Sequence, residues 1–376
     1  MTVECTSRQP WDMIRPEIKE FAPYVPGRSI AEIRQELGLG QVVKMASNEN
    51  PLGASPMVKK TVQKRADLVF RYPQPNSPDL TQALGRHLQV PEDRFVVGNG
   101  SDEIIDLLIR ILARPGLDRI VVFDPSFSIY TLQARLCGVE LTRVPLQSDF
   151  SFPFSSLLST VDQDTSMVFV TSPDNPSGHT ATKKELIDLS QHLPTHTMLI
   201  IDEAYIEFAD QPQLYSPLSE LPSLDNIVLL RTFSKLYGLA GLRLGYGIMP
   251  PWLTDLMHRV KLPFSVNLLA EAAGLAALQD SHFVQASREA VHQGRQHLTK
   301  DLSGLGWRVY PSQANFLLVR PSCPAEQLVN ELLKKGFIIR GLNSYGLPDF
   351  VRISIGTEAE NRGLVRACQE IQEAYA

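Results

Sequence analysis

Residues 231–247 read Arg231-Thr232-Phe233-Ser234-Lys235-Leu-Tyr-Gly-Leu-Ala-Gly-Leu-Arg243-Leu-Gly-Tyr-Gly, directly after the apolar run Asn226-Ile-Val-Leu-Leu230. The apolar run predicts a strand, so an amine, two hydroxyls and a guanidinium follow a strand's carboxyl end, where open α/β sheets bind ligands. Upstream, a second run, Met198-Leu-Ile-Ile201, ends in Asp202-Glu-Ala-Tyr205 and brings a carboxylate and a phenol to the same edge. Singly, such a lysine is ordinarily a solvated surface residue, and such an aspartate a turn or cap. Together they suit a pyridoxal phosphate site, in which an amine forms a Schiff base, a carboxylate pairs with the pyridinium nitrogen, and hydroxyls and an arginine hold the phosphate.

The chemistry explains the residue types. The cofactor draws electrons only while its ring nitrogen is protonated, and a buried carboxylate at Asp202 favours that charge. Lys235 holds the aldehyde as an imine and, once displaced by substrate, serves as the base that moves a proton. Thr232, Ser234 and Arg243 supply donors for a dianionic phosphate, Arg243 as a planar and permanently charged fork.

Composition narrows the field. A chain of 376 residues, 43% of them hydrophobic, has room for about two or three domains and a large core. A net charge of −5 and a pI near 5.9 argue against a nucleic-acid footprint. No run of about 18 apolar residues marks a membrane span, and residues 1–10 lack an apolar signal-peptide core. Cys5, Cys137, Cys323 and Cys368 are far apart, and the eight histidines are scattered. The expectation is a cytoplasmic protein with reduced thiols and no metal site.

The expected fold class is α/β. An arm, residues 1–40, with a helix over 29–37, joins the smaller unit; residues 41–270 form a large cofactor-binding domain; residues 271–376 form a small C-terminal α+β domain. Strands are predicted at 95–97, 120–123, 167–170, 198–201, 227–230 and 244–248, with helices at 79–88, 102–112, 129–136 and 183–191. That alternation reads as a mostly parallel sheet covered on both faces. Beyond residue 270, helices are predicted at 270–279, 283–302, 325–334 and 357–375, and strands at 307–309, 316–319, 337–339 and 351–355.

Other stretches add candidates. Val97-Gly-Asn-Gly-Ser101-Asp102-Glu103 runs from strand into helix, where free amides and the dipole's positive end cradle a phosphate. In Asp124-Pro-Ser-Phe127-Ser-Ile-Tyr130, Phe127 could stack on the pyridine ring or simply cap the sheet. In Ser172-Pro-Asp174-Asn175-Pro-Ser177-Gly178, Asn175 could donate to the cofactor's ring oxygen or belong to a turn. Tyr205 could meet the same oxygen. Arg352, within Phe350-Val-Arg-Ile-Ser-Ile-Gly356, is either an edge charge or the clamp for a substrate carboxylate, and Arg340 is a second cation near the same mouth.

These motifs resemble the fold-type I, pyridoxal-phosphate-dependent aminotransferases of class I/II, from about Pro23 to Glu370. The lysine and Arg352 motifs mark the superfamily. Ala46-Ser-Asn48-Glu-Asn50-Pro-Leu-Gly53 and the stretch from Tyr345-Gly-Leu-Pro348 to Arg352-Ile-Ser-Ile-Gly-Thr357 point to the branch acting on histidinol phosphate. The resemblance implies a transaminase of histidine biosynthesis, with Lys235 carrying the internal aldimine and 2-oxoglutarate and glutamate as the other substrate pair. It implies phosphate contacts from the Ser101 and Asp102 amides, Thr232, Ser234 and Arg243. Phe127 would stack on the ring, Asn175 and Tyr205 would meet O3′, and Asp202 would meet the ring nitrogen. Tyr72, in Arg71-Tyr72-Pro73, would reach the neighbouring subunit's cofactor in a homodimer. Arg352 would grip glutamate's α-carboxylate, Arg340 and Tyr24 the substrate phosphate, and Asn50 would line the pocket. Asp174 and Ser177 depart from the family's usual Asn and Thr. The rivals are an aromatic amino acid aminotransferase, a phospho-amino-acid decarboxylase, and a non-catalytic ligand-sensing relative.

Overall fold

The structure is a computed structural model and describes residues 9–19, 21, 30–38 and 40–375. Tyr24 and the Pro/Gly-punctuated stretch around it lie outside the described residues. The strands are β1 (Val43–Lys44), β2 (Phe95–Gly98), β3 (Arg119–Asp124), β4 (Glu140–Pro145), β5 (Thr165–Thr171), β6 (Met198–Asp202), β7 (Ile227–Thr232), β8 (Gly245–Ile248), β9 (Arg308–Val309), β10 (Phe316–Arg320), β11 (Phe337–Ile338), β12 (Arg340–Leu342) and β13 (Leu347–Ser354).

Seven of them form one sheet in the order β2-β8-β7-β6-β5-β3-β4. β8 runs antiparallel to both neighbours and the remaining pairs are parallel. Successive side chains of a strand point to opposite faces, so a sheet covered twice needs apolar residues at every position. The central strands meet that need. Val121, Val168, Leu199 and Leu229 join a core on one face, which also takes in Leu80 and Leu84. Their sequence neighbours Val122, Phe169, Ile200 and Leu230 join a core on the other face, with Ile105 and Leu108 of the helix Ser101–Leu112. The predicted parallel sheet with helices on both faces is therefore what forms.

A second, antiparallel sheet has the order β12-β13-β10-β9. The helices Ala325–Lys334 and Glu358–Tyr375 accompany it. β1 pairs parallel with β11, and Ser354 N donates to Met45 O at 2.9 Å, so residues 43–45 run with the C-terminal elements. Residues just beyond, Ser47 to Gly53, cross to the carboxyl edge of the large sheet. Among the described residues no helix is long and apolar enough to cross a membrane.

Candidate active site

Four parallel strands deliver the chemistry. Thr171 at the end of β5 is in register with Asp202 at the end of β6. β7 ends at Thr232 and the turn after it carries Ser234 and Lys235. β3 ends at Asp124, three residues before Phe127. A cavity of about 170 Å³ opens where they meet. Its walls include Lys235, Asp202, Tyr205, Asn175 and Phe127, and, at one end, Ser101, Asp102, Thr232, Ser234 and Arg243.

That end is built to take an anion. The first-turn amides of Ser101–Leu112 have no intrahelical acceptors, and the helix dipole adds positive potential there. Arg243 donates to Ser234 Oγ at 3.4 Å and to Asp102 Oδ2 at 3.2 Å, which points its fork at the same spot. Gly100, at φ +77°, makes room, since a Cβ there would stand 2.7 Å from Arg243 Nη2.

Asp202 is buried at the opposite wall. Its Oδ2 accepts from the Tyr130 hydroxyl at 2.8 Å and its Oδ1 from the Ala204 amide at 3.1 Å. Burial pushes its pKa up to about 6, against the pull of those two donors. Among the described residues it has no ion-pair partner.

Lys235 donates to the Ser47 carbonyl at 3.1 Å, and its Nζ lies 5.5 Å from the Tyr205 ring centre. Burial, reinforced by the Arg352 charge, lowers its pKa to about 8. An amine so tuned sheds its proton within reach of neutral pH, as a nucleophile or base requires.

An adjoining cavity of about 140 Å³ shares Lys235, Tyr205, Asn175 and Phe127 and adds Ser47, Asn48, Arg340, Tyr345 and Arg352. Arg352 is buried, donates through Nη1 to Asn175 Oδ1 and through Nη2 to Ala46 O at 2.8 Å, and lies 5.3 Å from the Phe316 ring centre. Its Nε is buried without a hydrogen-bond partner among the described residues.

Comparison with known proteins shows the family. The family model for aminotransferase class I and II matches residues 40–368. The chain belongs to the class I and II aminotransferases. It is 51% identical over 371 residues to histidinol-phosphate aminotransferase of Nitratidesulfovibrio vulgaris, with 99% of each chain covered. It is 38% identical over 358 residues to that of Moorella thermoacetica, covering 95% of this chain and 92% of the other. The crystal structure of histidinol-phosphate aminotransferase from Sinorhizobium meliloti in complex with pyridoxal-5′-phosphate superposes with a TM-score of 0.88 at 27% identity, covering 97% of this chain and 98% of that one.

Within this aminotransferase, ten predicted cofactor contacts line one cavity: Ser101, Asp102, Phe127, Asn175, Asp202, Tyr205, Thr232, Ser234, Lys235 and Arg243. Tyr72 is not among them: it is 82% exposed, its ring 4.9 Å from that of Phe264. Arg340 and Arg352 line the adjoining cavity together. Asn50 lines neither cavity. Its Nδ2 donates to Leu236 O at 2.6 Å and Ser287 Oγ at 3.0 Å, so it braces the turn bearing Lys235 from behind. Asp174 is buried and accepts from Ser177 Oγ at 2.6 Å and Ser177 N at 3.1 Å, closing the loop that presents Asn175. Its pKa is pushed up to about 6 by burial.

Sequence reasoning missed Tyr130, Thr171 and Asn48. Tyr130 ends the Asp124–Tyr130 stretch, but only the fold shows its hydroxyl on Asp202. Asn48 lies two residues before Asn50, and the backbone geometry decides which of the two reaches the site.

Proposed function

We propose that this chain is a pyridoxal-phosphate-dependent transaminase that moves an amino group from L-histidinol phosphate to 2-oxoglutarate in histidine biosynthesis, giving imidazole-acetol phosphate and L-glutamate. The observation that carries this reading is one cavity holding Lys235 and Asp202, with an anion cradle at one end and two arginines in the adjoining space. The residues fit the cofactor. Asp202 is a buried carboxylate lacking a cation, as a partner of a protonated ring nitrogen must be. The helix start, Thr232, Ser234 and Arg243 form the donor set a phosphate needs.

Bound there, pyridoxal phosphate supplies an electron sink for the bonds at the substrate's α-carbon. The chain's residues do the rest. Lys235 anchors the group and shuttles a proton at the α-carbon, its lowered pKa matched to that work. Asp202, held by Tyr130 and Ala204, keeps the ring nitrogen cationic. Asn175 and Tyr205 would meet the ring oxygen, and Phe127 would stack on the ring. Arg352 takes the α-carboxylate of glutamate, and Arg340 the distal anion of either substrate.

In this reading residues 41–270 are the cofactor-binding domain and residues 271–376 the smaller C-terminal domain. The working unit is a homodimer. Phe70, Tyr72, Leu262 and Phe264 are exposed apolar side chains that a second copy would cover, carrying Tyr72 toward the neighbouring cofactor phosphate. The free thiols Cys137, Cys323 and Cys368 suit the reducing cytoplasm.

A spectral titration of the purified, cofactor-saturated protein tests the reading. Histidinol phosphate should discharge the visible band at lower concentration than phenylalanine, and threonine phosphate should release no carbon dioxide. Absence of a visible band, preference for phenylalanine, or carbon dioxide release would overturn it.

A further inference from the structure

The Tyr205 hydroxyl could either give or take a hydrogen bond at the cofactor's ring oxygen, and its neighbour decides which. Asn48 is buried, and its backbone sits in the left-handed region at φ +55°. Its carbonyl accepts from Asn315 Nδ2 at 3.0 Å, which clamps that turn. Ser354 then fixes the side chain. Ser354 Oγ accepts the Asn48 backbone N–H at 2.9 Å and lies 2.8 Å from Asn48 Oδ1. The serine has one proton, and Oδ1 is its acceptor in this network. With the amide flipped, that proton would have no acceptor among the described residues. Oδ1 therefore faces Ser354, and Nδ2 donates to Tyr205 Oη at 3.1 Å. A phenol oxygen already receiving a hydrogen bond directs its own O–H elsewhere, here into the cavities that Tyr205 lines.

We propose that Asn48 is a positioning residue that makes Tyr205 a hydrogen-bond donor to the ring oxygen of the bound cofactor. The proposal rests on the pyridoxal phosphate reading above. Asn48 touches β13 through Ser354, so its anchor and Arg352 lie two residues apart on one strand. The charged groups around Tyr205 are Arg352 and Lys235 on one side of the balance and Asp202 and Asp174 on the other. Burial holds its phenol protonated. A donor at the ring oxygen draws off negative charge that would otherwise retain the proton of the Lys235 linkage, so it lowers the pKa of the visible chromophore.

Asn48→Asp tests this. Aspartate tolerates the left-handed backbone. It keeps the Ser354 bond on one oxygen and offers Tyr205 an acceptor with the other, so the phenol proton turns away from the cofactor. The pKa of the visible band should rise by about one unit, a tenfold change in the proton equilibrium. In a Tyr205→Phe background the same substitution should give less than about half that shift, because no phenol remains to turn. Equal shifts in both backgrounds would show the aspartate acting only as a charge and would overturn the proposal. Ser354→Ala is the second variant. It frees the carboxamide to rotate and should raise the pKa by a smaller amount, with the far-ultraviolet circular dichroism unchanged; an unshifted titration in this variant would also overturn it. A wild-type protein with no visible band would instead overturn the cofactor reading.

Discussion

The Lys235 amine donates to the Ser47 carbonyl at 3.1 Å, across 188 positions of sequence. This contact joins the turn after β7 to the segment that crosses from the C-terminal sheet. Asn50 holds the same two stretches through Leu236 O, and Gly238 packs on Gly53. The Lys235 amine therefore sits on a seam between the two sheets.

The seam leaves no room at Gly238. A Cβ there would stand 1.9 Å from Gly53 O, and the residue holds φ +69°. Gly238→Ala should cost at least about 2 kcal/mol of stability from backbone strain and clash. Thermal unfolding should show a lower Tm and dialysis a faster loss of cofactor. Wild-type values for both would contradict the tight approach.

Glu207 gives a pH test away from the chemistry. Both its carboxylate oxygens are buried without hydrogen-bond partners among the described residues, and burial pushes its pKa up from 4.5 to about 7 despite Arg231. The folded state thus binds this proton more tightly than the unfolded chain. The group's stabilising contribution is complete below about pH 4.5 and is lost as pH rises through about 7. Glu207→Gln stands in for the protonated acid. It should stabilise the protein by roughly 2 kcal/mol at pH 8 and by almost nothing near pH 4.5. Melting curves at the two pH values decide, and an unchanged or lower Tm at pH 8 would contradict it.

In the proposed reading the two arginines take different anions. Arg340→Ala should lower kcat/KM for histidinol phosphate by about 10²-fold and for phenylalanine by less than about threefold, because only the first carries a distal phosphate. Arg352→Lys should lower kcat/KM for glutamate by about 10²-fold or more, because a lysine cannot reproduce the fork bonded to Asn175 and Ala46. Steady-state assays with the three donors check both, and equal losses across donors would count against the division.

Much of this was legible in the sequence. The central strands read as continuous apolar runs because both their faces are covered, and the site residues followed them because parallel strands end at one edge. Lys235, Asp202, Asn175 and Arg243 could be placed from that rule and their chemistry. The strand β4 was not predicted: at the sheet edge, Glu140, Arg143 and Pro145 are exposed, and its pattern is polar. The helix Pro56–Arg65 was missed for a similar reason, since Val58 is its one buried residue and lysines dominate. Asn48 was not legible because no sequence signal reports its left-handed turn. Tyr130 was not legible because its partner Asp202 lies 72 positions away and only the strand order joins them.

The central claim is that Lys235 is the amine that holds the cofactor. Borohydride reduction of the pyridoxal-phosphate-saturated enzyme, followed by proteolysis and mass spectrometry, tests it most directly. The account predicts a phosphopyridoxyl label on the peptide containing Lys235, stoichiometric with the protein chain. A label on another lysine, or an unlabelled Lys235 in enzyme that had carried the visible band, would contradict it.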